Sequence, residues 1–307
     1  FLLAGFHLLG VLISIIMAFA VSTFLAIYAL HRLAFRGGSQ LWAKNLPEAR
    51  TLLAYCFPLV ISNIFGVIAP RSDILILGYW ATAEDIGIYL AAFQTAAIIS
   101  LVLSAFIAGS APIISRAWSQ GDRARMSEVY QAVSRLAITV SLPIFCCFVL
   151  FSREILEMFG ANFTAGTTAL LLLAIGQLFN NATGSANSVL LMSGHSRLVM
   201  TNTIIMGIVL LAATAAIIPF WGITGAALAA SLTFIVTNFI RVMQVWKIHG
   251  VQPYTWALAK PAAAAVLATG IVLVLRVSVT AIPISLLGLM VGMLYLSGLL
   301  LLGIHQE

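Results

Sequence analysis

Residues 82–114 read TAEDIGIYLAAFQTAAIISLVLSAFIAGSAPII, and no charged side chain interrupts them after Asp85. A helix needs about 20 apolar residues to cross the hydrocarbon core of a bilayer. Residues 86–114 are therefore predicted to form a transmembrane helix. Thr82 and Asp85 stand three positions apart just before it, which is the spacing of an N-terminal capping box.

The rest of the chain repeats this pattern. Of its 307 residues, 62% are hydrophobic and 8% are charged, and the mean hydropathy is +1.10, whereas soluble domains carry about 25% charged residues. The apolar runs do not alternate with polar residues, which excludes a transmembrane β-barrel. We predict an all-α, polytopic transmembrane bundle of about nine spans. The predicted spans are 8–30, 51–79, 86–114, 131–151, 167–192, 198–219, 223–245, 259–279 and 282–304.

The orientation follows from the fifteen Lys and Arg residues, because cytoplasmic loops hold an excess of them. Twelve lie at one set of span ends, Arg153 and Arg276 lie at the other, and Arg71 lies within a span. We therefore expect the first residue outside and the C-terminus in the cytoplasm. A cytoplasmic face beside anionic headgroups also accounts for the net charge of +6 without a nucleic-acid partner.

Few residues are suited to catalysis. Eight of the nine acidic residues fall in loops, near span ends or at the terminus, and the five histidines lack metal-ligand spacing. We find no paired carboxylates and no Ser/His/Asp set. The cysteines lie in apolar runs and are predicted to pack in the core; they are Cys56, Cys146 and Cys147. We therefore expect a transporter with no metal or cofactor, and not an enzyme.

One pair of opposite charges interrupts an apolar span, in APRSDILILGY at 69–79. Arg71 lies nine residues before Trp80, or roughly 14 Å into the span. A charge at such depth should face protein or water. Arg71 and Asp73 point some 200° apart on a regular helix, so a direct bridge is awkward, but Pro70 could break the helix. We predict a broken helix lining a cavity; alternatively, Arg71 snorkels outward and Asp73 caps a kink.

Further polar side chains lie within the spans. Asn63 stands two turns inward from Arg71, and Gln177 and Asn181 share a helix face. The candidate substrate-binding residues are Arg71, Asp73, Asn63, Gln94, Gln177 and Asn181. The alternative for each amide is interhelical hydrogen bonding, worth on the order of 0.6 kcal/mol per pair. Three other arginines lie near span ends, where they are expected to snorkel to the interface: Arg135, Arg241 and Arg276.

Three stretches carry a family resemblance. They are RSDILILGYWATAEDIGIYLAAFQTAAIISLVLSAFIAGSAPIISR at 71–116, LLMSGHSRLVMTNTII at 190–205 and GITGAALAASLTFIVTNFIRV at 222–242. Their shared elements are an aspartate before an apolar run and Gly, an acidic-Gly-x-Tyr turn, a Pro ending the next helix and a Gly-x-x-Gly-Ala-Ala start. From about residue 50 to the end, the chain resembles the polysaccharide-exporter branch of the multidrug/oligosaccharidyl-lipid/polysaccharide superfamily.

The resemblance implies a domain organisation. Members of that family have two lobes of six helices, often with two further helices at the C-terminus. Residues 1–30 would then be the last helix of a truncated N-terminal lobe, and residues 31–50 a cytoplasmic linker between lobes. Residues 51–250 would form the C-terminal six-helix lobe, and residues 251–307 the two additional helices.

The resemblance also implies a function. Its members flip undecaprenyl-pyrophosphate-linked oligosaccharide repeat units across the bacterial cytoplasmic membrane for O-antigen, capsule or exopolysaccharide synthesis. Arg71 would meet the pyrophosphate or an acidic sugar, while Asp73 would hold Arg71 in place or bind a coupling cation, a proton or sodium. A polysaccharide polymerase and a chain-length regulator are the expected protein partners.

Alternative functions remain open at this point. A drug or cation antiporter and a lipid II flippase belong to the same superfamily, and a membrane glycan polymerase or ligase belongs to the same pathway. Such an enzyme is expected to carry a large outside loop, whereas the longest one here, FSREILEMFGANFTAGTT at 151–168, is short.

Overall fold

The computed structural model describes residues 13, 16–25, 28, 29, 32, 46–68, 71–254, 256–278 and 284–301. Within these ranges the secondary structure is helical, and no strand is present. The chain divides into two compact units, Phe1–Ala54 and Tyr55–Glu307. The first unit contains the short apolar helix Ile16–Leu25, and the second contains the features discussed below.

The helices are named in chain order. They are α1 (Ile16–Leu25), α2 (Leu46–Ile68), α3 (Ser72–Trp80), α4 (Ala83–Ser119), α5 (Arg123–Glu157), α6 (Thr167–Ala182), α7 (Ala186–Met192), α8 (Ser196–His249), α9 (Ala259–Ser278) and α10 (Ile284–Leu301), with short 3-10 helices at Ala161–Gly166 and Trp256–Leu258.

These elements account for the predicted spans. In the described ranges, six helical segments are long and apolar enough to cross a membrane, α1 and α10 are shorter apolar helices, and α8 contains two arms. The prediction of an all-α transmembrane bundle is confirmed, and the count agrees roughly with nine spans. The molecule is a multi-pass membrane protein.

The start of α4 is capped as its sequence predicts. Thr82 Oγ1 accepts a hydrogen bond from Asp85 N at 3.2 Å, and Asp85 Oδ2 accepts one from Thr82 N at 3.1 Å. Both bonds satisfy amide groups that have no partner within the helix. Helix α4 therefore begins immediately after α3, and the two meet in a tight turn at Ala81 and Thr82.

Helix α8 folds back on itself at Gly222, in the gap between the predicted spans 198–219 and 223–245. Gly222 has φ 51° and ψ −131°, a conformation that suits glycine. A Cβ on Gly225 would lie 3.0 Å from the carbonyl oxygen of Ile217, although residues eight apart in a straight helix are about 12 Å apart. Across the hairpin, Asn202 and Gln244 exchange two amide hydrogen bonds of 2.6 and 2.9 Å.

The predicted span 167–192 is divided into α6 and α7. Gly184 lies between them with φ 60°, and the turn presses against α5, where a Cβ on Gly184 would lie 2.0 Å from Ser134 Oγ. Tyr130 of α5 donates a hydrogen bond to the free carbonyl of Thr183 at 3.1 Å. The interruption is therefore stabilised by a neighbouring helix, which the local sequence does not reveal.

Arg276 does not snorkel as expected. Its guanidinium forms a salt bridge with Glu154 and donates to the carbonyl of Leu150. It also lies over the ring of Phe151, 5.4 Å from the centroid, where α5 kinks. Arg276 therefore attaches α9 to α5, and buried apolar side chains of α9 and α10 pack against α5 beside it.

Different loops contact one another at the two ends of the helices. At one end, Asn162 donates to Glu84 Oε1 at 2.7 Å, close to the turn before α4. At the other end, His249 packs edge-on against Trp118 and His195, with centroid distances of 5.0 and 5.5 Å. The two groups match the predicted outside and cytoplasmic sets of loops, although the orientation itself stays a prediction.

Candidate functional site

The helix that carries the charged pair is interrupted. Helix α2 ends at Ile68 and α3 begins at Ser72, with Arg71 at its N-cap position (φ −100°, ψ −8°). Pro70 lies outside the described residues, so its part in the interruption stays a prediction. An interrupted helix at membrane depth is tolerated where it is buried in protein or lines a cavity.

Arg71 lines a cavity beside this interruption. The cavity has a volume of about 270 Å³ and lies between the end of α2, the start of α3 and the first half of α4. Arg71 and Gln94 supply its polar side chains, and both are exposed. The lining consists of Gly66, Val67, Arg71, Ile74, Leu90, Phe93 and Gln94. A guanidinium and an amide over an apolar wall with one aromatic ring can bind an anionic group attached to a sugar.

Asp73 points away from the cavity into the packed helices. It is 1% exposed, and its Oδ1 accepts from its neighbour's amide, Ile74 N, at 2.7 Å. Its Oδ2 accepts from the hydroxyl of Tyr89 at 2.5 Å. Among the salt bridges of the described residues, none joins Asp73 to Arg71. Asp73 thus fixes the position of α3 against α4, and a role in substrate or cation binding stays a prediction.

Sequence reasoning missed Tyr89, which is fully buried. A signal for it exists, because Asp73 and Tyr89 each lie eight residues from Ala81, on opposite sides of the turn. When two helices meet at a tight turn and pack side by side, residues at equal distances from the turn lie next to each other. The Tyr hydroxyl is the kind of polar partner that a buried carboxylate requires.

Asn63 lies one turn below the cavity. It is exposed on α2, three and four residues before Gly66 and Val67, and so shares a helix face with these lining residues. Next to it, Ser62 bonds to Thr203 of α8, with their hydroxyl oxygens 3.0 Å apart. Sequence reasoning missed this contact, which fixes the rotation of α2 against α8.

Gln177 and Asn181 lie elsewhere, buried among α4, α5 and α6. Asn181 is fully buried, and its Nδ2 donates to the carbonyl of Ile99 at 2.7 Å and to Ser141 Oγ at 2.5 Å. Gln177 is 7% exposed. Neither lines the Arg71 cavity. The bonds of Asn181 are those of interhelical packing, and substrate binding by this pair stays a prediction.

No cluster of three His, Cys, Asp or Glu side chains that could hold a metal ion occurs in the described part of the chain. The cavity wall that is described contains one cation and no acid. The electrostatics of this wall therefore favour an anionic ligand over a cationic one.

Comparisons with known proteins identify the family of this chain. Residues 3–165 match the family described as "Polysaccharide biosynthesis protein". The chain belongs to this family. The matched region contains Arg71 and Gln94, which are the polar residues of the cavity lining, and the buried pair Asp73 and Tyr89. The polysaccharide-biosynthesis resemblance read from the sequence is confirmed.

One relative from Haloferax volcanii is named "Probable low-salt glycan biosynthesis flippase Agl15". It is 26% identical over 198 residues, which is 64% of this chain and 42% of the relative. A solved structure of the lipid II flippase MurJ in an inward closed conformation superposes with a TM-score of 0.63 at 14% identity, over 83% of this chain and 54% of MurJ. At that identity the likeness concerns the fold alone.

A second solved structure, a multidrug resistance MATE family transporter in an outward-facing conformation, gives a TM-score of 0.45 at 15% identity, over 79% of this chain and 60% of that one. That superposition is too loose to compare sites. The chain spans about half the length of the proteins it matches.

Proposed function

We propose that this chain forms the second lobe of an alternating-access flippase that moves a lipid-linked oligosaccharide across a membrane. The observation that carries the proposal is Arg71, an exposed arginine within a candidate membrane span that lines a cavity in a member of the polysaccharide biosynthesis family. In such a flippase, two lobes rock around a central site near the middle of the bilayer.

The substrate is a repeat unit attached to undecaprenyl pyrophosphate, for O-antigen, capsule or exopolysaccharide. Arg71 binds the pyrophosphate, because the guanidinium fork suits phosphate oxygens. Gln94 lies in the same cavity and hydrogen-bonds sugar hydroxyls. The protein lies in the bacterial cytoplasmic membrane with its C-terminus inside, and passes its product to a polymerase and chain-length regulator.

The energy source is a proton or sodium gradient. A drug or cation antiporter would suit an acidic cavity better than the wall described here, on which Arg71 is the one charged side chain. An enzyme of the pathway is disfavoured because the relative from Haloferax volcanii is named as a probable flippase.

The test is glycolipid analysis in cells that lack the full-length gene and any redundant flippase. A membrane-impermeant probe reports which leaflet holds the lipid-linked repeat unit. We expect the unit to accumulate on the cytoplasmic leaflet, and wild-type protein to restore export. Arg71→Ala should abolish export, Arg71→Lys should keep part of it, and Gln94→Ala should reduce it.

The matched control is Arg197→Ala, because Arg197 is an exposed arginine at the start of α8 outside the cavity lining. It should export normally. Normal delivery without the gene would overturn the flippase, whereas normal export by Arg71→Ala at wild-type protein levels would overturn the proposed site.

A further inference from the structure

Arg241, in the second arm of α8, lacks a counter-charge. Its Nη1 lies 3.4 Å from Asn238 Oδ1, a long contact. Its Nε is buried and has no hydrogen-bond partner. No carboxylate of the described residues forms a salt bridge with it. A guanidinium in a protein stays protonated, so a full positive charge is only weakly compensated here.

The position of Arg241 makes this charge costly. It lies eight residues before His249, roughly 12 Å along the helix from the end of α8. It shares a helix face with the buried residues Asn238 and Val245. The side chain therefore points into the lobe and does not snorkel outward, contrary to the expectation from sequence. A charge that is turned into packed protein requires a partner.

The amide oxygens of Asn180, Asn238 and Gln244 already accept hydrogen bonds. Asn238 Nδ2 donates to Asn180 Oδ1 of α6 at 3.0 Å, while Asn238 Oδ1 faces Arg241. Gln244 lies one turn beyond Arg241, and its amide oxygen and nitrogen both form hydrogen bonds with Asn202. Two donors near Arg241 have no hydrogen-bond partner among the described residues: its own Nε, which is buried, and the amide Nδ2 of Asn180, which is partly exposed. A cluster with a positive charge and spare donors is suited to an anion.

We propose that Asn180, Asn238 and Arg241 form a binding site for a small inorganic anion, such as chloride or phosphate, between α6 and the second arm of α8. Asn238 is 3% exposed, and Asn180 and Arg241 are partly buried, which favours a small ion over a bulky glycolipid. The site is distinct from the Arg71 cavity, with which it shares no residue. Its ligand neutralises Arg241 and stabilises the packing of α6 against α8.

The experiment measures the apparent Tm of the full-length protein in detergent, in gluconate and then with chloride or inorganic phosphate at constant ionic strength. A ligand that binds the folded state alone raises the Tm. We expect a saturable rise of roughly 2–4 °C with either ion or both. Arg241→Gln should remove the rise, and Arg197→Gln, an exposed arginine on α8, should retain it.

Equal Tm values of the wild type in all salts, or an undiminished rise in Arg241→Gln, would overturn the proposal. If Arg241→Gln does not fold, the variant Asn238→Asp tests the anion site instead. It places a carboxylate at the atom that Arg241 already contacts, and the Asn180 amide can rotate to donate to it. This variant should be stable in gluconate and insensitive to added anions; an anion response like that of the wild type would contradict the proposal.

The anion site can fail independently of the flippase. Arg71→Ala should lose glycolipid export yet retain the anion-dependent rise in Tm. Conversely, an anion-insensitive wild-type protein that exports glycolipid would remove this site and leave the proposed function intact.

Discussion

The hydroxyl of Tyr89 lies 2.5 Å from Oδ2 of Asp73, and both residues are buried. This bond crosses the tight turn between α3 and α4. It places the acid of the charged pair in the packed interior while the arginine, two residues earlier, lines the cavity. The two charges therefore lie in different surroundings, since Asp73 anchors the helix and Arg71 lines the cavity.

Tyr89→Phe should destabilise the protein, because it leaves a buried carboxylate without one of its two hydrogen-bond donors. We expect a loss of about 1–3 kcal/mol in the free energy of unfolding, measured as a lower apparent Tm in detergent. Tyr79→Phe is the matched control, since Tyr79 is 83% exposed. Equal Tm values for the two variants would show that the Asp73 bond contributes nothing measurable.

Gly184→Ala should be strongly destabilising. The new Cβ would lie 2.0 Å from Ser134 Oγ, and φ of 60° is unfavourable for alanine. We expect a loss of more than about 2 kcal/mol in thermal unfolding. Gly109→Ala serves as control, because a Cβ there meets no atom within 4 Å. Adding Ser134→Gly should recover part of the loss; no recovery would mean that the clash is not the cause.

Arg276→Gln should destabilise more than Glu154→Gln. Without Arg276, Glu154 keeps a negative charge with a buried and unpaired Oε2, whereas Arg276 without the charge of Glu154 still has Leu150 and Phe151. The Arg276 side chain is 37% exposed, so we expect only about 1–2 kcal/mol for the larger effect. The reverse order of apparent Tm values would contradict this account.

The orientation can be tested with single cysteines in a variant in which Cys56, Cys146 and Cys147 are replaced by alanine. Ala161 and Gln120 are both exposed and lie at opposite ends of α5. In intact cells, a membrane-impermeant maleimide should label Ala161→Cys, and should label Gln120→Cys only after permeabilisation. The opposite pattern would show that the predicted orientation is wrong.

Local signals in the sequence predicted most of the fold. The apolar runs, the Thr82/Asp85 cap and the Gly222 turn each depend on a few adjacent residues, and each is found where expected. The interruption at Gly184 was missed because the residue that it packs against is Ser134, fifty residues earlier on another helix. A turn that is stabilised by contacts with another helix has only a weak local signal in an apolar sequence.

The candidate site was predictable only in part. Depth and charge identified Arg71, and Gln94 lies with it in the cavity. The direction of each side chain depends on which helices flank it, and this is why Asp73 faces Tyr89 and why Arg241 faces inward. The spacing of Arg71 and Asp73 predicted the angle between their side chains. It did not predict which of the two would face the cavity.

The mutual amide pair of Asn202 and Gln244 has a consequence for biosynthesis. Each amide both donates and accepts, so the pair satisfies two polar groups that would be costly to expose to lipid. Transferring the two arms of α8 into the bilayer together therefore costs less free energy than transferring one after the other. The translocon should retain the first arm until the second has emerged from the ribosome, and release them as one hairpin.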